Sequence, residues 1–323
     1  MKSDIKNIIL GLLLEGWDTS GKSKTVSGEK ISKELGITRV MVNRYIRELM
    51  DEGFIIEAKK YKGYRITNIP DVIYPSVIRL KYTGNNEFKF IIFDEISSTN
   101  TYCLENAKNL EDRTVVIANH QTQGKGRFGR SWYSESSKDI TMSILLKPNI
   151  HIDEVVKYTM SASIAVLEAL RNLDIDNLFI KWPNDIIYND RKVCGILVET
   201  ILEYTTGLVE AIVIGIGLNV NSIPSKAIPN STSVYEILGF EVKRYSLIGM
   251  ILSNFDSILQ MTYNSIFTEW KKNIGYIGKR ICVKYGDVSL QCTLVDVSRT
   301  GEIIVDDNNT IKKFSFGEVS LIV

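Results

Sequence analysis

Histidine is almost absent from this sequence, since only His120 and His151 occur among its 323 residues. Chemistry that depends on several histidines is therefore excluded, and a catalytic site would have to use lysine, arginine, carboxylates and backbone groups. Cysteine is scarce too, and no two of the four cysteines form a CxxC pair, which argues against a zinc site or a disulfide framework. We expect free thiols at Cys103, Cys194, Cys282 and Cys292.

Long apolar runs are also missing. No run reaches the roughly 18 residues that a membrane span requires, and residues 1–4 carry charge of both signs without a signal-peptide pattern. We therefore expect a cytoplasmic protein with no membrane partner. The net charge is only +1, but residues 1–66 contain 13 Lys and Arg against 9 Asp and Glu, whereas the rest contains 26 against 29. The basic excess thus lies in one segment, which could face phosphates.

Residues 1–66 have the order helix, helix, turn, helix and basic hairpin, which is typical of a winged helix-turn-helix. Gly36 would end the second helix, and Thr38 is a suitable N-cap for the third. We predict that the third helix reaches base edges and that wing lysines contact phosphates. The predicted DNA contacts are Arg39, Asn43, Arg44, Tyr45, Lys60 and Lys62. A small helical domain used for dimerisation or packing is the alternative.

The rest of the chain predicts an α+β protein with three further segments. Residues 67–85 contain two prolines and no clear periodicity, so we interpret them as a linker. In residues 86–272 several strands follow one another without a helix between them, which favours a mixed sheet. Residues 276–323 consist of short strands and turns, including Gly286-Asp287 and Thr300-Gly301, and predict a small SH3-like β-barrel.

The strand and helix predictions for the central segment follow from apolar periodicity. The predicted strands are Phe88–Ile96, Thr114–Asn119, Ile140–Lys147, Leu178–Trp182, Asp185–Asn189, Val193–Thr200 and Glu210–Val220. The predicted helices are Asn100–Leu110, Ile152–Asn172 and Leu247–Asn264.

The segment Gly124–Trp132 joins two predicted strands and is rich in glycine and arginine. Its glycines would let backbone N–H groups approach an anion, and its arginines offer planar, permanently charged groups for phosphate or carboxylate oxygens. Trp132 can stack on a purine. The spacing fits neither a Walker loop nor a dinucleotide fingerprint. A flexible solvated turn and an RNA-binding loop are the alternatives.

Four further segments carry polar residues at the ends of predicted strands, and each has a structural alternative. The run Lys181–Asp185 could hold a nucleotide or Mg²⁺, or it could be a turn that caps its own backbone. Lys192 beside an apolar strand calls for an anionic partner, unless it protects a strand edge. The segment Gly215–Asn219 allows close approach of a ligand or forms a β-bulge. The segment Ser98–Asn100 binds a polar group or caps a helix.

Together these motifs resemble the biotin–protein ligases, specifically the bifunctional members that also repress the biotin operon. The resemblance covers the whole chain, and the motifs occur in the order and at the spacing of that family. The matching residues are Ser98-Thr99-Asn100, Gln121, Gly124-Lys125-Gly126-Arg127, Gly129-Arg130, Trp132, Lys181-Trp182-Pro183-Asn184-Asp185, Arg191-Lys192, Gly195-Ile196-Leu197, Gly215, Gly217 and Asn219.

The resemblance implies a central domain similar to those of class II aminoacyl-tRNA synthetases and a reaction in two steps. Biotin's carboxylate attacks the α-phosphate of ATP to give biotinyl-5′-adenylate, and a lysine of a biotin carboxyl carrier protein or domain then takes the biotin. ATP and Mg²⁺ are the implied cofactors, and biotin is both substrate and precursor of the corepressor. Operator DNA is the second implied partner, bound by a homodimer that forms when biotinyl-adenylate is present.

The resemblance also implies roles for individual residues. Arg127 and Lys192 would be catalytic, and no protein ligand for the metal is implied. The implied biotin-binding residues are Ser98, Thr99, Asn100, Gln121, Gly124, Lys125, Arg127, Lys192 and Gly195. The implied nucleotide-binding residues are Arg127, Arg130, Trp132, Asn184 and Asn219.

Two departures from the family pattern and two alternative functions stay open. Lys125 stands where repressor-type members often have arginine, which puts adenylate retention in doubt. The stretch from Gly16 to Ser27 is longer than the usual connection between the first two helices, which puts the geometry on the operator in doubt. The alternatives are a biotin-sensing regulator without catalysis and a lipoate–protein ligase.

Overall fold

The computed structural model describes residues 2–17, 21–59, 61–203, 205–285, 288–315 and 320–322. The chain divides into two units, one formed by Met1–Thr83 with Lys243–Met250 and the other by Gly84–Val242 with Ile251–Val323. Within the ranges described, no helix combines the length and the apolar character needed to cross a membrane.

The first unit contains the predicted winged helix-turn-helix. Its elements are α1 (Lys2–Leu14), α2 (Gly28–Leu35), α3 (Arg39–Asp51), the antiparallel strands β1 (Ile55–Lys59) and β2 (Gly63–Asn68), and α4 (Pro75–Ile78).

The turn between α2 and α3 forms as the sequence predicts. Gly36 ends α2 in the left-handed conformation with φ 63°, which glycine adopts without a steric penalty. The Thr38 side chain then caps α3 by accepting a hydrogen bond from the N–H of Met41 at 3.2 Å. Because the apolar side chains of α3 recur at helical spacing, Val42, Ile46 and Leu49 are buried together on one face.

The segment predicted as a linker contains helix α4, which is tied to α1. Asn7 Oδ1 accepts hydrogen bonds from Ser76 N at 3.1 Å and from Ser76 Oγ at 2.9 Å. The same unit holds an ion pair between the buried Arg244 and the half-buried Asp71, in which Arg244 Nε donates to Asp71 Oδ2 at 2.7 Å. Short-range periodicity did not predict this helix because it spans only four residues and begins at a proline.

The second unit begins with a mixed sheet and its helices. In chain order these are β3 (Lys89–Ile96), α5 (Thr99–Asn106), β4 (Thr114–Gln121), β5 (Ile140–Leu146), α6 (Val156–Arg171), β6 (Leu178–Lys181), β7 (Asp185–Tyr188), β8 (Arg191–Leu202), β9 (Val209–Leu218), α7 (Val234–Leu238), α8 (Arg244–Leu259, whose first part belongs to the first unit) and α9 (Tyr263–Lys272).

The seven strands lie in the order β3-β4-β5-β9-β8-β7-β6. Only β3 and β4 run parallel, and the other neighbours are antiparallel, so the predicted mixed sheet is confirmed. Strands β5 and β9 lie near the middle of the sheet, which explains their nearly continuous apolar sequence. Cys103 of α5 and the following C-cap residue Ala107 pack against apolar residues of β4, β5 and β9.

The helix predicted over Leu247–Asn264 is wrong as one element. The structure has α8 and α9 instead, because Thr262 adopts an extended conformation and its side chain caps α9 by accepting from Ser265 N at 3.3 Å. The sequence did not show this break because the apolar residues continue at helical spacing through it. Helix α7, with five residues, was not predicted either.

The C-terminal strands form a second, antiparallel sheet. The strands are β10 (Arg280–Tyr285), β11 (Val288–Val297), β12 (Ile303–Asp307), β13 (Thr310–Phe314) and β14 (Ser320–Ile322), in the spatial order β13-β12-β11-β10-β14. The predicted strands are therefore present, but among the described residues no pairing of β13 with β14 closes the sheet into a barrel. Gly301 provides the predicted turn with φ 85°, whereas the predicted turn at 286–287 lies outside the described residues.

Candidate active site

A cavity of about 200 Å³ opens over the seven-stranded sheet, beside the 124–132 segment. Nearly all of the residues that the sequence predicted to bind biotin or the nucleotide line this cavity. The lining residues are Ser98, Thr99, Asn100, Gln121, Lys125, Gly126, Arg127, Phe128, Arg130, Ser131, Trp132, Met142, Lys181, Trp182, Pro183, Asn184, Asp185, Lys192, Gly195, Ile196, Leu197, Gly215, Ile216 and Gly217.

Three glycines of the sheet make room for two polar or aromatic side chains. A Cβ atom on Gly215 would overlap the Asn100 carboxamide, and one on Gly217 would overlap the Trp132 indole. Gly195, opposite Gly217 in the β8–β9 ladder, lies under the same indole. The β5–β9–β8 register is regular at these positions, so the β-bulge alternative for Gly215–Asn219 is wrong. These glycines allow the side chains of Asn100 and Trp132 to approach the backbone of the sheet closely.

The segment between Gly124 and Trp132 folds back on itself instead of extending into solvent. Trp132 N donates to Gly124 O at 2.8 Å, and Gly126 N donates to Arg130 O at 2.7 Å. Its tip is a short 3-10 turn in which Phe128 takes the left-handed conformation with φ 56°. The guanidinium of Arg127 lies 4.8 Å from the centre of the Phe128 ring. The turn therefore directs its two arginines toward the cavity.

Five cationic side chains and one carboxylate line the cavity. The cations are Lys125, Arg127, Arg130, Lys181 and Lys192, and the carboxylate is Asp185. Lys192 Nζ lies 2.7 Å from Asp185 Oδ1 and 5.4 Å from the centre of the Trp132 ring. Strand β8, which begins near Lys192, lies between β7 and β9, so the strand-edge alternative for this lysine is wrong. One carboxylate cannot neutralise five cations, and an anionic ligand is the natural complement.

Burial lowers the pKa of two of these cations. The pKa of Lys181 is lowered from its ordinary value of 10.5, chiefly by burial and further by the charges of Lys192 and Arg130, although Asp185 opposes the shift. The pKa of Arg127 is lowered by burial and by Arg130 in the same way. In both cases burial outweighs the stabilising charge of Asp185, and an incoming phosphate or carboxylate would stabilise the charged forms further.

The opposite end of the cavity is neutral and rich in hydroxyl and amide groups. Gln121 Oε1 accepts a hydrogen bond from Thr99 N at 2.7 Å and lies 3.1 Å from Thr99 Oγ1. Ser98 also caps α5 by accepting from Thr101 N at 3.4 Å, so the helix-cap alternative is correct for its hydroxyl, which lines the cavity as well. Donors and acceptors are thus arranged for a compact polar ring or head group.

Two predicted site residues lie next to the cavity instead of in its lining. Gly124 supports it from behind, because a Cβ there would overlap the Trp132 carbonyl. Asn219 is buried, and its Nδ2 donates to Thr232 O at 2.9 Å. By contrast, Asn184 lines the cavity, donates through Nδ2 to Ile196 O and accepts from Arg127 Nη1 at 3.4 Å. Asn184 therefore joins the Arg127 guanidinium to the backbone of β8.

The site also contains residues that the sequence did not assign to it. Lys181 was noted only as part of a motif, although its position at the end of β6, next to the polar turn, was a usable signal. Ser143 is fully buried under Thr99 and Asn100 in the middle of an apolar strand, and only its polarity there could have revealed it. Phe128 supports the two arginines from an exposed position.

The predicted DNA-binding face belongs to the first unit. Arg39, Asn43 and Arg44 are exposed on α3, and Lys62 is exposed in the wing. The prediction for Tyr45 is corrected, because its side chain is only 2% exposed and packs in the core. The prediction grouped Tyr45 with its exposed neighbour Arg44. Successive side chains of an α-helix are rotated by about 100°, however, so Tyr45 points to the buried side of α3. Lys60 lies outside the described residues.

Comparison with known proteins assigns the family. Residues 92–219, which include every lining residue named above, match the biotin/lipoate A/B protein ligase family, and residues 20–65 match an HTH domain. The bifunctional ligase/repressor BirA of Bacillus subtilis (strain 168) is 30% identical over 319 residues, covering 96% of this chain and 97% of that protein. The chain belongs to the bifunctional ligase/repressor family.

Other members and structures agree with this assignment, and the resemblance seen in the sequence is confirmed. The bifunctional ligase/repressor BirA of Escherichia coli (strain K12) is 26% identical over 301 residues, covering 91% of this chain and 92% of that protein. The structure of a biotin protein ligase from Aquifex aeolicus in complex with biotin and ATP has a TM-score of 0.61 and 27% identity, covering 72% of this chain and 98% of that one. This ligase/repressor thus combines a ligase domain with an HTH domain.

Proposed function

We propose that this cavity binds biotin and ATP and catalyses both steps of protein biotinylation. In the first step a biotin carboxylate oxygen bonds to the α-phosphorus of ATP, and the bond to the leaving pyrophosphate breaks. In the second step the amine of a carrier lysine attacks the acyl carbon, AMP leaves with the bonding electrons of the anhydride oxygen, and the amine loses a proton. The product is a biotinyl amide on the carrier protein.

The observation that carries this proposal is the excess of five cations over one carboxylate in a cavity that ends in a neutral polar pocket. A carboxylate and a triphosphate repel each other, so the first step needs positive charge already in place where they meet. No enzyme nucleophile is required, which agrees with the burial of Cys103 and Cys194, whose thiol pKa values are raised by burial.

The cavity suggests how its residues divide the work. Arg127, Lys181 and Lys192 would hold the carboxylate of biotin and the α-phosphate. Trp132, whose indole packs against Gly195 and Gly217, would stack on adenine. Arg130 and Asn184 would contact the nucleotide, whereas Asn219 would act only through the position of β9. Lys125, at the mouth, would contribute charge to the acidic end of the ligand.

Magnesium fits as a companion of ATP and not as a resident ion of the protein. Among the residues that the structure describes, no group of three or more His, Cys, Asp or Glu side chains could hold a metal ion. Asp185 is the one cavity carboxylate in the same ranges, and it faces Lys192. Mg²⁺ would therefore be held mainly by the phosphates, where it would offset their charge.

The neutral end of the cavity favours biotin over lipoate. The ureido ring of biotin has two N–H donors and one carbonyl acceptor, and the Ser98, Thr99 and Gln121 side chains offer both acceptors and donors. A lipoyl dithiolane makes no such hydrogen bonds and would leave these polar groups unsatisfied, which is costly in a buried site.

Incubation of the protein with ATP, Mg²⁺, a biotin carboxyl carrier domain and either biotin or lipoate tests the substrate. We expect the carrier mass to increase by one biotinyl group and no lipoyl group. Transfer of lipoate but not biotin would overturn the choice of substrate. Binding of biotin without any transfer would instead support a regulator that senses biotin but does not use it.

We also propose that the first unit binds operator DNA of the biotin operon through α3 and the wing, in a homodimer that forms when biotinyl-adenylate is bound. A helix-turn-helix usually reads a palindromic site as a dimer, which supports this proposal. Sedimentation with saturating biotin and ATP would then show a dimer, and persistent monomer would contradict it. Location in the cytoplasm stays a prediction.

A further inference from the structure

Glu199 lies behind the neutral end of the cavity and does not line it. Its carboxylate Oε2 accepts a hydrogen bond of 2.8 Å from Asn100 Nδ2. Asn100 is only 4% exposed, and its Oδ1 lies 2.5 Å from Ser143 Oγ. The strand register explains the arrangement, because Gly215 stands between Ser143 on β5 and Leu197 on β8 and leaves space for the carboxamide.

Chemistry dictates the direction of these hydrogen bonds. An ionised carboxylate only accepts, so Asn100 must turn its NH₂ toward Glu199 and its oxygen toward Ser143. The single Ser143 proton then goes to Asn100 Oδ1, which cannot donate. The Ser143 oxygen, 2.7 Å from Thr99 Oγ1, is then left as an acceptor. It takes the single Thr99 hydroxyl proton, because the competing acceptor Gln121 Oε1 is farther away, at 3.1 Å.

The other end of this chain is fixed by the backbone. Thr99 N donates to Gln121 Oε1 at 2.7 Å, so the NH₂ of Gln121 must point away from Thr99. Because the proton of the Thr99 hydroxyl is directed to Ser143, the Thr99 oxygen can accept a hydrogen bond from a ligand. The wall therefore presents an acceptor at Thr99 and a donor at Gln121, which matches the N–H and C=O groups of a cyclic urea.

We propose that Glu199 is a positioning residue that sets the donor and acceptor pattern of the biotin pocket by fixing the orientation of Asn100. The carboxylate forbids the flipped carboxamide, which would bring two acceptors together, and Ser143 and Thr99 transmit this constraint to the cavity wall. This inference rests on the proposed binding of biotin, which the activity of the wild-type protein tests separately.

The test is an exchange of charge between the two partners. Asn100→Asp alone places a carboxylate against Glu199, and we expect the KM for biotin to rise at least 50-fold. The double variant Asn100→Asp with Glu199→Gln has the net charge of the wild type and restores a donor against an acceptor, with Oδ1 still facing Ser143. We expect its KM for biotin to return to within about tenfold of the wild-type value.

Two further measurements separate positioning from a general role in folding. Glu199→Gln alone leaves only the longer 3.4 Å hydrogen bond to Leu197 O to hold the Asn100 NH₂ in place. It should raise the KM for biotin about threefold to tenfold while kcat and the KM for ATP change less than twofold. Glu210→Gln, at an exposed carboxylate on β9, is the matched control and should change none of these values.

The inference is overturned if the double variant is no better than Asn100→Asp, or if Glu199→Gln raises the KM for biotin and the KM for ATP equally. Wild-type protein without biotin-dependent activity would be a failure of the proposed function and not of the positioning role.

Discussion

The Trp132 indole rests on Gly217, and a single methyl group on that glycine would overlap its Cε2 atom. Gly217 does not have a positive φ, so alanine fits the backbone there and the overlap with the indole is the main effect. We expect Gly217→Ala to displace Trp132 and to raise the KM for ATP at least tenfold without unfolding the protein. Steady-state kinetics and tryptophan fluorescence measure this, with Gly11→Ala, where a Cβ has an ordinary 3.7 Å contact, as control. An unchanged KM for ATP would remove Trp132 from the adenine site.

Lys192 contributes charge next to Asp185 and Trp132. We expect Lys192→Ala to reduce adenylate formation by about 100-fold, since loss of one preorganised group that stabilises the transition state typically has this effect. DNA binding without ligand should stay weak. The exposed Lys226→Ala is the control for loss of a surface lysine, and unchanged kinetics in Lys192→Ala would exclude Lys192 from the site.

The lowered pKa of Lys181 predicts a pH dependence. Lysine is charged below its pKa, so a pKa below 10.5 means that the positive charge is lost at lower pH than for an exposed lysine. We expect the affinity for biotin to fall as the pH rises, beginning at a lower pH than the titration of an exposed lysine near 10.5 would give. Lys181→Arg should flatten this decline because arginine keeps its charge. Identical pH profiles for the two proteins would show that Lys181 does not titrate in the binding step.

Asp139 is 2% exposed and fixes the backbone after β9. Its carboxylate accepts from Glu135 N at 2.8 Å, Val220 N at 2.9 Å and Ser222 Oγ at 2.7 Å. In Asp139→Asn an NH₂ group replaces one acceptor and faces a donor, so we expect a loss of about 2 kcal/mol in unfolding free energy. Urea denaturation measures it against the exposed Asp176→Asn. Equal midpoints for the two variants would contradict this role.

The DNA-binding proposal predicts that operator binding can be lost while biotin transfer is retained. Arg39 is exposed at the start of α3, so Arg39→Ala should weaken operator binding about tenfold or more while biotin transfer is unchanged. Electrophoretic mobility shifts at two salt concentrations, together with transfer assays, measure both halves of the function. Operator affinity equal to that of the wild type would remove Arg39 from the interface.

Local backbone structure could be predicted from the sequence wherever one or two residues determine the conformation. Gly36 and Thr38 predicted the turn of the helix-turn-helix, and the strand-like runs predicted a mixed sheet, because glycine conformation, side-chain caps and alternating burial act over a few residues. The break before Thr262 was missed because the apolar pattern continues through it.

Contacts between distant segments could not be read in this way. Spacing alone did not show that Asn100 lies over Gly215 or that Ser143 supports it, since these residues meet only when β5, β9 and β8 take their register. Tyr45 was misassigned because an exposed and a buried face are one residue apart on a helix. The resemblance to a family identified the site, and the sheet register explains why its glycines are needed.

The most direct test of the central claim is ATP–pyrophosphate exchange by the purified protein, measured with biotin, with lipoate and with neither acid. Exchange reports formation of an acyl-adenylate without requiring a carrier protein or DNA. We predict that labelled pyrophosphate enters ATP only when biotin is present. Absence of exchange with biotin at saturating ATP and Mg²⁺ would contradict the account of this cavity as a biotin-activating site.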